Sequence, residues 1–135
     1  MYHPCIIKYN KITQFSGKEI TVNELDKSTL GFEIKRMYWI NYTSPEITLS
    51  EHAHKTLNQI IICVEGEVKI KLEDKSGKLY DFLLDKPEDG LFIPANFWKK
   101  IEYRKPCILL CLASENYAEN DYIRNYEEFK QLQKQ

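Results

Sequence analysis

The sequence predicts an all-β fold, a sandwich or barrel of jelly-roll type, followed by one short C-terminal helix. Short apolar segments with strand-like alternation recur along the chain, and turn residues separate them about every 8–12 residues. Helical spacing occurs only near the C-terminal end. The chain of 135 residues has no internal repeat, linker or low-complexity segment, which predicts a single domain over residues 1–135.

The first predicted strand covers residues 32–42, which are rich in aromatic and β-branched side chains. Arg36 and Tyr38 share one face of it, because successive side chains of a strand point to opposite faces. Residues 59–74 predict two strands that meet near Glu65-Gly66. The remaining predictions are a hairpin turn at 74–78, a strand at 79–84, a break at 85–90, two short strands within 91–104 around a Pro-Ala-Asn corner, and a fully buried strand at 107–114.

The C-terminal stretch "NDYIRNYEEFKQLQKQ" has apolar residues spaced by three and four positions, which predicts a helix. Asn120 or Asp121 can cap its N-terminus. The apolar positions are Tyr122, Ile123, Tyr126, Phe129 and Leu132.

Composition excludes several classes of partner. The formal net charge is −1, so no broad positive field attracts nucleic acid or an anionic membrane. No apolar run approaches the ~20 residues of a membrane span.

The cysteines form no CxxC pair, and Cys63, Cys107 and Cys111 lie in core-like apolar runs. With no signal-peptide pattern, we expect a cytoplasmic protein with reduced thiols.

Two of the three histidines, His52 and His54, are separated by one residue. On a strand this spacing places both imidazoles on one face. Such a pair can bind a metal ion, transfer protons near neutral pH, or form hydrogen bonds within a barrel interior. The spacing alone does not distinguish these three possibilities.

The surrounding residues resemble the first cupin motif, which has HxH, then a carboxylate, then six residues and a glycine. Here Gln59 occupies the carboxylate position and Gly66 the glycine position. The stretch "GLFIPANFWKK" supplies the Gly and Pro of the second motif, but Trp98 and Lys99 stand where a third histidine would be. Two His and a neutral Gln are a poor ligand set for divalent ions. We therefore expect a cupin-type jelly-roll β-barrel without a metal or other cofactor.

Four stretches, in order, resemble the sugar-nucleotide 3,4-ketoisomerases of dTDP-deoxysugar pathways: "FEIKRMYWI", "HAHKTLNQIIICVEGEV", "DKPEDGLFIPANFWKKI" and "LLCLASENYAENDYIRNYEEF". The resemblance implies a metal-free jelly-roll homodimer, often with exchanged N-terminal strands. It also implies conversion of a dTDP-linked 4-keto-6-deoxyhexose to the 3-keto isomer, whose product is later aminated and acylated for surface glycans. We assign no chemistry to the "DYIRNYEEF" stretch, which we interpret as a docking helix.

The resemblance also implies catalytic roles for three residues. Moving a carbonyl from C4 to C3 requires a base at C3, and a neutral imidazole suits this step. His52 is expected to be that base, with His54 as its partner. Tyr38 is expected to donate to, or relay a proton at, a sugar oxygen; the alternative is that Tyr38 only packs in the core.

Four further residues are candidates for substrate binding. Arg36 is expected at the diphosphate, although a surface ion pair is an alternative, and Gln59 at the sugar or the diphosphate. Trp98 either stacks on thymine or packs, and Lys99 stands where relatives carry a His or Arg beside the sugar. The chain departs from the family at Ser16, which replaces a cation or Tyr near the substrate, and at Leu49-Ser50-Glu51, which replaces an Arg-Gly pair.

Three other functions remain open from the sequence. A 3- or 3,5-epimerase would use the same proton abstraction but return the proton to the same carbon. A non-catalytic cupin would bind the sugar nucleotide without turnover, and a cupin oxygenase would depend on a metal.

Overall fold

The computed structural model of the chain describes residues 3–13, 17–22 and 30–132. Within these ranges, strands dominate, and a 3₁₀ turn at Glu119–Asp121 precedes the C-terminal helix α1 (Tyr126–Leu132). The strands are β1 (Cys5–Lys8), β2 (Asn10–Thr13), β3 (Glu19–Val22), β4 (Arg36–Tyr42), β5 (Thr48–His54), β6 (Gln59–Glu65), β7 (Val68–Glu73), β8 (Leu79–Leu84), β9 (Asp89–Ile93), β10 (Trp98–Tyr103), β11 (Cys107–Ala113) and β12 (Tyr122–Ile123).

Most of these strands form two five-stranded antiparallel sheets. The first sheet has the order β1-β9-β6-β11-β4, and the second has the order β12-β5-β10-β7-β8. Strands β2 and β3 form a separate two-stranded hairpin. Neighbours that are distant in sequence, such as β6 and β11, pair side by side, as in a jelly roll. The predicted all-β cupin-type barrel with a short C-terminal helix is therefore confirmed.

The main core is built from the inner faces of both sheets. Strand β7 shows how the sequence produces it: Val68, Ile70 and Leu72 are buried and alternate with Lys69 and Lys71, which are exposed. The fully or nearly buried members of this core are Ile61, Cys63, Val68, Ile70, Leu72, Leu84, Leu91, Ile93, Phe97, Ile101, Tyr103, Cys107, Leu109 and Cys111.

The smallest apolar cluster of the described residues covers the outer face of the second sheet, behind the histidine strand. It consists of Ala53 from β5, Trp98 from β10, Ile123 from β12 and Phe129 from α1. The ring centroids of Trp98 and Phe129 are 5.7 Å apart. The C-terminal helix is thus held against the back of the strand that carries His52 and His54.

Two corners of the barrel depend on left-handed backbone conformations. Gly66, between β6 and β7, has φ of 86°, and Asn96, in the predicted Pro-Ala-Asn corner between β9 and β10, has φ of 66°. Glycine and asparagine are the residues that adopt this conformation most readily. Both turns lie where the sequence predicted them.

Three predictions need correction. The strand predicted over residues 32–42 begins only at Arg36. Strand β11 is not fully buried, because Ile108 and Leu110 on its outer face are half-exposed. The C-terminal helix does not begin at 120: it starts at Tyr126, and the Asn125 side chain accepts a hydrogen bond from the Glu128 amide at 3.0 Å. Residues 122–123 instead pair with β5, which satisfies their backbone groups outside a helix. Among the helices of the described ranges, none has the length and apolar content that crossing a bilayer requires.

Candidate active site

The site is centred on the end of β5, where His52 and His54 point into the barrel from one face. Their ring centroids are 4.9 Å apart and their planes are nearly perpendicular, at 86°. The Tyr122 ring lies against both, with centroid distances of 5.4 Å to His52 and 4.4 Å to His54. The predicted convergence of the two histidines is confirmed, and a tyrosine from the C-terminal segment joins them.

Lys99 lies opposite His52 in the β5–β10 pairing, and only 2% of the residue is exposed. Among the described residues, no carboxylate lies within 4.0 Å of its ammonium. Burial lowers the pKa of Lys99 to about 8, because the charged form loses hydration without gaining a counter-ion. The neutral and protonated amine are therefore both accessible near neutral pH.

Both imidazoles are neutral in the empty site. Burial, followed by the charges of Lys99 and His54, lowers the pKa of His52 to about 2. Burial and Lys99 lower the pKa of His54 to about 4, while the Asp121 carboxylate opposes that shift. A neutral imidazole can accept a proton, which is the state that a general base requires.

Tyr38 approaches the same space from β4 in the facing sheet. Its hydroxyl donates to Gln59 Oε1 at a distance of 3.5 Å, and Gln59 is 1% exposed. Cys111 is paired with Tyr38 across β4 and β11 and places its thiol beside the hydroxyl. Burial, with the Cys111 thiol second, raises the pKa of Tyr38, so this phenol is a donor and not a phenolate.

Arg36 extends the site toward the barrel mouth. Its guanidinium carbon lies 5.1 Å from the Tyr38 ring centroid and 5.6 Å from that of Tyr117. Its Nε and Nη2 atoms are buried, and neither has a hydrogen-bond partner among the described residues. Buried donors without partners are costly, so these two nitrogens fit a bound anion. The surface ion-pair alternative for Arg36 is therefore wrong.

The segment 117–124 contributes residues that sequence reasoning missed. Asp121 Oδ2 lies 3.6 Å from His54 Nδ1. Arg124 stacks over the Tyr122 ring at 4.3 Å and is held by both carboxylate oxygens of Glu119. The sequence feature that could have indicated these residues is the "NDYIR" run. Its Asp, Tyr and Arg were interpreted only as the start of a docking helix.

Trp98 is separated from the other candidates. It lies on the opposite face of β10 from Lys99, is 6% exposed, and packs against Tyr126 and Phe129 of α1. This environment favours the packing alternative over stacking on thymine.

Leu49, at the departure from the family pattern before His52, is 53% exposed, whereas Ser16 lies outside the described residues.

The donor set does not resemble a metal centre. Within the described ranges, no group of three or more His, Cys, Asp or Glu residues is arranged to hold an ion. The buried ammonium of Lys99 beside the histidines would repel a cation. The residues present therefore suit proton transfer better than metal binding.

A separate groove of about 710 Å³ runs over the outer face of β7, β8 and β10. It is lined by side chains of both charges, such as Lys69, Asp81 and Glu102, together with exposed leucines. It lies on the other side of the sheet from the histidine pair, and we assign it no function.

Two imidazoles, a phenol, a buried amine and a guanidinium thus lie close together in the barrel interior, and two nitrogens of that guanidinium have no hydrogen-bond partner among the described residues. Such a group of side chains can remove a proton from a small molecule, donate to its oxygens and hold an anionic part. The fold and the site together define a cupin-type protein whose barrel interior holds side chains suited to acid–base chemistry.

Comparison with known proteins identifies the family. The family model described as "FdtA: WxcM-like, C-terminal" matches residues 3–134. A TDP-4-oxo-6-deoxy-α-D-glucose-3,4-oxoisomerase of Aneurinibacillus thermoaerophilus is 33% identical over 126 residues, which cover 93% of this chain and 88% of that protein. The chain belongs to the FdtA, WxcM-like C-terminal family, and the resemblance to 3,4-ketoisomerases is confirmed.

Solved structures agree with this assignment. The sugar 3,4-ketoisomerase QdtA of Thermoanaerobacterium thermosaccharolyticum, in complex with TDP, is 35% identical with a TM-score of 0.86, covering 99% of this chain and 96% of that one. A 3,4-ketoisomerase of Helicobacter canadensis is 32% identical with a TM-score of 0.87, covering all of both chains.

Proposed function

We propose that this protein isomerises a dTDP-linked 4-keto-6-deoxyhexose to its 3-keto isomer, without a metal, in deoxyaminosugar biosynthesis. The single observation that supports it most is the contact between two neutral histidine rings inside the barrel of a chain whose relatives are 3,4-ketoisomerases. The reaction needs three proton movements: off C3, onto C4, and between the two oxygens.

His52 removes the C3 proton, which is acidic because the neighbouring carbonyl stabilises the enediolate. Its pKa in the empty site, about 2, belongs to a weak base. A diphosphate bound at Arg36 brings negative charge into the site, which offsets the positive charges of Lys99 and Arg124 and so raises the pKa of His52. Binding the correct ligand therefore strengthens the base.

The oxygens of the enediolate need donors as charge develops on them. Tyr38 and the ammonium of Lys99 are the donors we assign to the sugar, and Gln59 orients Tyr38 or contacts the sugar itself. The two unpartnered nitrogens of Arg36 bind the diphosphate in a fork that matches phosphate oxygens.

The assembly we propose is a homodimer with exchanged N-terminal strands. The β2–β3 hairpin pairs with no other strand of the described residues, and an isolated two-stranded hairpin is marginally stable in water. Ile20 and Val22 of this hairpin are 38% and 39% exposed. A second copy supplies the surface that these side chains lack.

The compartment we propose is the cytoplasm. Within the described residues, Cys63, Cys107 and Cys111 are buried thiols that form no disulfide. Free thiols are typical of a reducing compartment.

One experiment tests the activity. Purified protein is incubated with dTDP-4-keto-6-deoxyglucose in deuterium oxide, and the sugar is followed by NMR. We expect the carbonyl to move from C4 to C3 and deuterium to be incorporated, and His52→Asn to lower the rate by about 100-fold or more. His3→Asn is the matched control, because His3 is exposed and belongs to no part of the site.

Each alternative has its own outcome. Deuterium at C3 with the carbonyl still at C4 identifies an epimerase, and calorimetric binding of TDP without turnover identifies a non-catalytic module. Loss of activity after dialysis against a chelator, restored by a divalent metal, contradicts the metal-free mechanism. Wild-type rates in the His52→Asn variant contradict the assigned base.

A further inference from the structure

Asp121 is a carboxylate held in one place by three donors. Its Oδ1 accepts hydrogen bonds from the Thr56 amide at 2.9 Å and the Thr56 hydroxyl at 2.7 Å, and its Oδ2 accepts one from the Leu57 amide at 3.3 Å. Its backbone carbonyl accepts from the Lys55 amide at 3.0 Å. These bonds attach the 3₁₀ turn to the loop that follows β5.

The same carboxylate faces the second histidine. Asp121 Oδ2 lies 3.6 Å from His54 Nδ1, in a place where only 5% of the His54 side chain and 13% of the Asp121 side chain are exposed. Both imidazole nitrogens of His54 are buried and neither has a hydrogen-bond partner within 3.5 Å among the described residues, but Nδ1 is the nitrogen that faces the Asp121 carboxylate. The two nitrogens of this ring therefore have different surroundings.

Asp121 is ionised at neutral pH. Burial alone would raise its pKa, but the hydrogen bonds from Thr56 and Leu57 and the proximity of His54 lower it overall. A carboxylate can only accept, so it favours the neutral imidazole that carries its proton on the nearer nitrogen.

We propose that Asp121 is a positioning residue that holds neutral His54 in the Nδ1–H tautomer and leaves the Nε2 lone pair as the atom that exchanges a proton with the substrate. This inference rests on the proposed function for its catalytic part, but the tautomer is a property of the protein without ligand. Apo structures often show such contacts slightly longer than a hydrogen bond, and they tighten when ligand binds.

Asp121→Asn is the informative variant. The Asn oxygen keeps the two Thr56 donors, so the amide NH₂ takes the place of Oδ2 and faces His54 Nδ1. A donor there requires Nδ1 to accept, which moves the proton to Nε2 and removes the basic lone pair. The variant retains the size of the side chain and both Thr56 bonds, loses the Leu57 bond because an NH₂ group cannot accept, and reverses the tautomer.

The primary readout is ¹⁵N NMR of the imidazoles in the free protein, at a pH where both rings are neutral. We expect wild-type His54 to show the Nδ1–H pattern and Asp121→Asn to show the Nε2–H pattern. Asp81→Asn, the same charge change on the outer face of β8, is the matched control and should leave the pattern unchanged. Wild-type protein with its proton on Nε2 overturns the proposal, whether or not any variant folds.

Kinetics give the second readout. We expect Asp121→Asn to lower kcat by about 10- to 100-fold with little change in KM, because the contact serves proton transfer and not binding. A loss confined to KM, or an unchanged kcat with a reversed tautomer, contradicts the positioning role. If the wild type has no isomerase activity, the tautomer measurement still tests whether Asp121 sets the tautomer of His54.

Discussion

Lys99 is a charged side chain in a place where apolar residues usually lie, with its amine beside His52 and Cys111. Its pKa of about 8, against 10.5 in water, corresponds to a cost of about 3 kcal/mol for keeping the ammonium buried at pH 7. Proteins retain such costs where activity needs the group. Under the proposed function, Lys99 lowers the stability of the barrel in return for a donor inside the site.

Lys99→Met should raise the melting temperature at pH 7 while abolishing activity. The unfolded chain holds the lysine proton up to about pH 10.5 and the folded chain only up to about pH 8, so wild-type stability rises with pH between these values. The stability gap between variant and wild type should therefore narrow as pH increases from 8 to 10.5, as measured by thermal unfolding.

Lys100→Met is the matched control, because Lys100 follows Lys99 on β10 but lies on the outer face, where its ammonium is 3.2 Å from the Glu51 carboxylate. It should change stability by less than about 0.5 kcal/mol and leave activity intact. A Lys99→Met variant that is less stable than wild type at pH 7 would show that the ammonium is stabilised by its surroundings.

Single residues also mark the limit of what the sequence predicted. The spacing of a known motif predicted His52, His54 and Gln59. The family resemblance and the alternation of β4 predicted Tyr38. Asp121 and Tyr122 were not found, because their contact with His54 depends on a pairing between β5 and β12, about 70 residues apart. The role of Trp98 was ambiguous because the sequence does not show which face of the sheet its side chain occupies.

At the level of elements, most strands from β6 to β11 were predicted because clear turns separate their apolar segments, and β7 also alternates regularly. The C-terminal segment was not, since a spacing of three and four residues suits one long helix as well as a 3₁₀ turn, a short strand and a two-turn helix. What decides between them is tertiary: the backbone of Tyr122 and Ile123 pairs with β5, and the Asp121 side chain binds Thr56 and Leu57.

The turn at Gly66 should tolerate substitution less than the turn at Gly77. Both glycines have a positive φ, 86° and 89°, so alanine at either costs about 1–2 kcal/mol of backbone strain. A Cβ on Gly66 would also lie 2.6 Å from the Pro106 carbonyl oxygen, whereas one on Gly77 has no neighbour closer than 3.8 Å.

We therefore expect Gly66→Ala to lower the free energy of unfolding by about 3 kcal/mol or more, and Gly77→Ala to lower it by about 1 kcal/mol. Urea unfolding measures both values. Equal losses in the two variants would mean that the β6–β7 corner shifts away from Pro106 at little cost.

The whole molecule has an apolar surface that one copy leaves open. Met37 and Trp39, on the outer face of the edge strand β4, are 58% and 65% exposed, and Leu110 of β11 lies beside Trp39. Large exposed apolar side chains that lie together often mark an interface. This surface and the unpaired hairpin both fit the proposed dimer.

Sedimentation should give twice the chain mass of 16.0 kDa. We expect Trp39→Arg to shift the equilibrium toward monomer, while Leu79→Arg, at a residue that is 67% exposed on the edge strand of the other sheet, should not. Monomer at micromolar concentration in the wild type contradicts the dimer, and an unchanged Trp39→Arg dimer excludes the β4 face from its interface.

Strand β12 has a consequence beyond catalysis. It contributes only two residues, yet it occupies the open side of β5, which would otherwise be the last strand of its sheet. A chain that ended before Tyr122 would present the backbone donors and acceptors of β5 to other molecules, and unprotected sheet margins of this kind promote self-association. Truncated forms of this enzyme that lack β12 should therefore precipitate before their activity can be measured.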